Sequence, residues 1–139
     1  MDLMAKLTDM ADSLDIQVFA DLDDPTDAWG TQDSLGISKE IHIGKKMTPL
    51  GYFISLHEIA HIVHKDRNMY VSRHPLHNEI NASYWAFEHF EMGFSPCIQE
   101  AAFEALMSYV DGGYPFEDMD KSMIEEMLTP EQAHTIEGE

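Results

Sequence analysis

The stretch His57-Glu58-Ile59-Ala60-His61 limits most tightly what this chain can become. Two imidazoles four residues apart share a face when the backbone is helical, and there they can grip one metal ion. The glutamate at i+1 is rotated to the flank of that face, beside the metal, where a base is needed. The pattern fixes only three positions in a chain with 8 histidines, so its setting has to carry the reading.

The setting is a strand followed by a capped helix. From Gly36 to Gly44, Ile37, Ile41 and Ile43 fall on one parity and Ser38, Glu40 and His42 on the other, the alternation of a half-buried strand. Lys39 interrupts the apolar face, which places this strand at or near a sheet edge. Thr48-Pro49 supplies an N-cap and a proline at the first helical position, so the motif helix runs from there to about Lys65.

Elsewhere the same signals predict more helix than strand. Leu3, Met4, Leu7, Met10, Ala11 and Leu14 have helical spacing, and Ile16 to Phe19 reads as a short strand. Residues 21 to 36, with Asp23-Asp24-Pro25 and Trp29-Gly30, read as a loop. Pro75 opens a helix with Ile80, Tyr84 and Phe87 on its apolar face, ending near Gly93. Ser95-Pro96 starts another that stops at Gly112-Gly113. Met119, Met123 and Met127 recur as the core stripe of a further helix, and Thr129 to Gln132 has capping-box spacing. The fold class expected is α+β: one domain over 1–139, mostly helical, with a small twisted sheet. Its core lies at about 37–110, and 115–139 forms an acidic helical extension.

Charge narrows the partners. A net charge of −18 argues against nucleic acid and anionic membrane as ligands. Residues 34–78 depart from the trend, with six Lys and Arg against three acids, a balance of about +3, and they hold six of the histidines. Such an island either packs against the chain's own acidic flanks or attracts an acidic peptide. Cys97 is the sole cysteine, so a zinc site must use His and carboxylate ligands. The amino terminus lacks a basic stretch followed by an apolar one, so a soluble, cytoplasmic protein is expected.

A catalytic zinc takes three protein ligands and leaves a position for water, so a third ligand has to exist. His64, Asp66, His74 and His77 are candidates, but His64 and Asp66 lie too close along the same helix. Glu79 is favoured, because it stands early in the next helix with Ala82, Ser83 and Ala86 behind it, small residues that would let that helix approach the motif helix closely enough to deliver a carboxylate. A glutamate complementing the helix dipole is the other account of that position. Tyr52, His64, His77, Tyr84 and Tyr114 are candidate donors to a developing oxyanion.

His57 to His64, followed by Glu79-Ile80-Asn81-Ala82-Ser83-Tyr84-Trp85-Ala86, resembles the zincin metallopeptidases whose third ligand is a glutamate on the next helix. It is most similar to the ImmA/IrrE-type peptidases, over about residues 37 to 90. The resemblance implies a zincin-like fold and a Zn²⁺-dependent endopeptidase acting on a protein or peptide. His57, His61 and Glu79 would be its ligands and Glu58 its general base. The strand from Ile37 to Ile43 is then expected to bind substrate by strand addition. The alternative class is a noncatalytic acidic module that binds a basic surface or mimics nucleic acid, with a structural metal.

Overall fold

The computed structural model describes residues 2–32, 38–66, 75–91 and 95–138, of which Lys65 and Asp66 are described by their backbone alone. Candidate ligand His74, strand residue Ile37 and the side chain of Asp66 lie outside the described part. Among the described residues the fold is α+β and mostly helical, with six α-helices and a three-stranded mixed sheet. Met1–Met69 and Tyr70–Glu139 are two compact units.

The first unit begins with α1 (Leu3–Ser13), started by Asp2, whose carboxylate accepts from the Ala5 N–H at 3.1 Å. Leu7 and Ala11 bury the face that the spacing marks out. Asp15, at φ +58°, takes the left-handed turn that its short polar side chain tolerates and directs the chain into β1 (Gln17–Leu22). A 3₁₀ turn at Pro25–Asp27 and strand β2 (Trp29–Gln32) follow, then β3 (Lys39–Gly44) and α2 (Pro49–Asp66).

Two expectations are corrected here. The strand order is β1-β3-β2, so the strand before the motif helix is central, parallel to β1 and antiparallel to β2, and not an edge. Lys39 is accommodated because its ammonium reaches past the sheet to the Leu14 carbonyl at 3.3 Å. The region expected to be loop contains β2, a strand of four residues whose Gly30 and flanking turn formers hide it. The alternation itself holds: Ile41 and Ile43 are buried, while Glu40 and His42 are half-buried.

On the half-buried face of the sheet, paired positions stack three rings: Phe19 on His42 at 4.9 Å and His42 on Trp29 at 4.1 Å. Asp21 accepts from His42 Nδ1 at 2.9 Å, and Lys45 pairs with Asp23 at 3.1 Å. Part of the cationic segment thus faces the chain's own amino-terminal acids.

Helix α2 starts as its cap requires, with Thr48 Oγ1 accepting from the Gly51 N–H at 3.0 Å. It packs on α1, β2, β3 and the 3₁₀ turn. Tyr52, Phe53, Leu56, Ile59, Ala60 and Val63 form its buried stripe, which leaves His57, Glu58, His61 and His64 half-buried on the other side. A Cβ at Gly51 would stand 2.7 Å from Pro25 Cβ and 2.8 Å from the Pro25 carbonyl oxygen, so glycine permits the 3₁₀ turn to brace the first turn of α2.

The second unit is helical: α3 (Pro75–Phe90), α4 (Pro96–Asp111), a 3₁₀ turn (Asp118–Asp120), α5 (Lys121–Met127) and α6 (Pro130–Glu137). Ser95 caps α4, and Thr129 with Gln132 forms a reciprocal capping box on α6. Its core draws Leu76, Ile80 and Ala86 from α3, Ile98, Ala102 and Leu106 from α4, and Ile124, Met127 and Ile136 from α5 and α6. The methionine stripe holds only in part. Met127 is fully buried, but Met119 sits on the 3₁₀ turn and is 58% exposed, because that turn breaks the helical period. No helix among the described residues is long and apolar enough to cross a membrane.

Candidate metal centre

Because α2 turns its apolar stripe inward, the opposite stripe carries the polar motif. His57 and His61 present their Nε2 atoms 3.1 Å apart, with the rings edge to face at 76°. Ligands about 2.0–2.1 Å from a tetrahedral zinc are separated by about 3.3 Å, so this pair already has the span of two ligands on one ion.

Glu79, the carboxylate expected as third ligand, stands in the second turn of α3. His57 and His61 in the first unit and Glu79 in the second are each half-buried. Two imidazole nitrogens and one carboxylate oxygen are the donor set of a zinc site that keeps a coordination position open.

Glu79 is itself held within its unit. Ala82, Ser83 and Ala86 are buried, and α3 packs on α4 and α5. From α4, Tyr109 donates its hydroxyl hydrogen to Glu79 Oε1 at 3.2 Å. Sequence reasoning missed Tyr109. The available signal was its position three residues after Leu106 on the buried stripe that begins at Ala102, where a phenol has to reach a polar partner.

Glu58 and His61 open onto a groove of about 280 Å³, lined also by Ile62 from α2 and by Gly30, Thr31 and Gln32 from β2. Gly30 makes the close approach possible. A Cβ there would stand 3.1 Å from Ile62 Cδ1, 3.3 Å from the Glu40 carbonyl oxygen and 3.9 Å from Glu58 Cβ. The outer strand β2 therefore lies along Glu58, a neighbour that the sequence did not reveal.

The other candidates have other places. His77 is buried within the second unit, where its Nδ1 pairs with Asp120 and its Nε2 accepts from Asn81 Nδ2 at 2.7 Å. That fixes it in the core rather than as a ligand. Burial pushes the Asp120 carboxyl above its ordinary range, against the opposing pull of His77. Tyr84 donates to Glu126 on α5 at 2.5 Å, which, with burial and the charges of Glu126 and Glu88, raises its phenol to about 12. Tyr52 is fully buried, and Tyr114 is 43% exposed with its ring tilted against Tyr109. His64 stands half-buried one turn beyond His61. Comparison of the chain with family models, with curated proteins and with solved structures finds no match.

Proposed function

We propose that the chain is a zinc-dependent endopeptidase with His57, His61 and Glu79 as metal ligands and Glu58 as general base. One observation carries the reading: two imidazole nitrogens paired on one face of α2, with Glu58 beside them on the wall of an open groove. The 3.1 Å separation of the two Nε2 atoms is compatible with two ligands of one metal ion, and the His and carboxylate donor types suit zinc.

When bound, Zn²⁺ supplies a Lewis acid that polarises a scissile carbonyl and makes a water acidic enough to lose its proton near neutral pH. Glu58 accepts that proton on a carboxylate oxygen and returns it to the departing amide nitrogen. The groove orients the peptide. Since β3 is flanked on both sides, the strand suited to pair with an extended substrate is the outer strand β2, whose Gly30 to Gln32 lie beside Glu58. The exposed lone Cys97 suits a reducing compartment, and we assign the activity to the cytoplasm.

The test is hydrolysis of a broad peptide library by the zinc-loaded chain. Cleavage that a chelator blocks, that zinc restores and that Glu58→Gln abolishes while zinc stays bound is the expected result. A zinc-loaded wild-type chain that cleaves no peptide would overturn the reading.

A further inference from the structure

A glutamate has three side-chain torsions, and at a half-buried helix position it samples several rotamers, most of which carry the carboxylate away from a given point. A metal ligand on such a side chain needs something to hold it. Glu79 is in this position, and the group that meets it is the Tyr109 hydroxyl, 3.2 Å from Oε1. The phenol is well suited to the task. Its ring turns on two torsions only, it is half-buried on α4, and it lies tilted beside the Tyr114 ring, the centroids 6.0 Å apart.

We propose that Tyr109 is the positioning residue of the metal centre, holding Glu79 through Oε1 in an orientation in which its carboxylate would serve as a zinc ligand. This rests on the metal-centre reading above and adds a residue to it. A neutral donor matters here: a Lys or Arg in its place would neutralise the carboxylate and weaken it as a ligand, whereas a phenol orients it and leaves its charge in place. Tyr84 makes the same kind of bond to Glu126, but Glu126 belongs to no group able to hold a metal among the described residues, so that bond ties α3 to α5 and nothing more.

The experiment is a zinc titration of the apo chain against a chromogenic chelator, for wild type, Tyr109→Phe, Glu79→Gln and the double variant. Tyr109→Phe keeps the ring and is expected to weaken the zinc Kd by about tenfold, the lower end of the range for groups that orient a ligand. In the Glu79→Gln background the same change is expected to be silent, which a general loosening of α4 would not be. Tyr109→Leu, which removes ring and hydroxyl together, should lose no less than Tyr109→Phe. A Tyr109→Phe chain with wild-type zinc affinity, or one that loses affinity equally in both backgrounds, overturns the role of Tyr109 while leaving the metal centre intact. A wild-type chain that binds no zinc overturns both.

Discussion

Two helices of this chain carry a histidine with a polar partner four residues on, and they do opposite things with it. On α2, His57 and His61 meet at 3.1 Å on a half-buried face, and His61 opens onto a groove with Glu58. On α3, His77 takes Asn81 at 2.7 Å, but its other nitrogen is closed off by Asp120 inside the core. The local spacing is the same. What differs is what the rest of the fold delivers: on α2 an opening bordered by a strand, on α3 a buried carboxylate. A histidine with a polar partner at i+4 can hold an ion only where the tertiary structure leaves room for one.

The largest effects should separate the two sites cleanly. Glu58→Gln is expected to lower peptide hydrolysis by about 10²–10⁴-fold, the usual contribution of a general base, with zinc content unchanged. Asp120→Ala should do the reverse. Leaving His77 buried without its carboxylate is expected to cost about 3–5 kcal/mol in urea unfolding, while zinc affinity of the folded fraction stays at the wild-type value. If Asp120→Ala instead abolished metal binding and left stability untouched, the division between the two histidine regions would be wrong.

A smaller effect probes the groove. Gly30→Val has to displace Ile62 and crowd the Glu40 carbonyl, at about 1–3 kcal/mol of stability. It should also raise KM through the narrowed groove and leave zinc affinity unaltered. The smallest is a pH effect in the core. Because burial holds the Asp120 carboxyl above its unfolded value, the folded state binds the proton more tightly. That contribution to stability is present at low pH, below the ordinary carboxylate pKa, and is lost as pH rises through the folded pKa. Asp120→Asn should flatten that part of the stability profile, and an unchanged profile would sink the assignment.

Much of this was legible in the chain because the signals were local. Thr48-Pro49, Ser95-Pro96 and the Thr129/Gln132 box each start the helix they announce, and the histidine spacing pairs the imidazoles as helical geometry requires. What was illegible depends on distant pairing. Nothing near Trp29-Gly30-Thr31-Gln32 marks it as a strand, since its partner β3 supplies the register. The parallel pairing of β1 with β3, which makes β3 central, has no local trace either. The sequence favours Glu79 over His77, but the partners that hold the two, Tyr109 and Asp120, lie 30 or more positions away and leave no local trace.

The most direct test of the central claim is the zinc stoichiometry and affinity of the purified wild-type chain beside its His57→Ala, His61→Ala and Glu79→Ala variants. The account predicts one tightly bound zinc per wild-type chain and severe weakening in each variant. A wild-type chain that takes up no zinc, or variants that bind it as tightly as wild type, would contradict it.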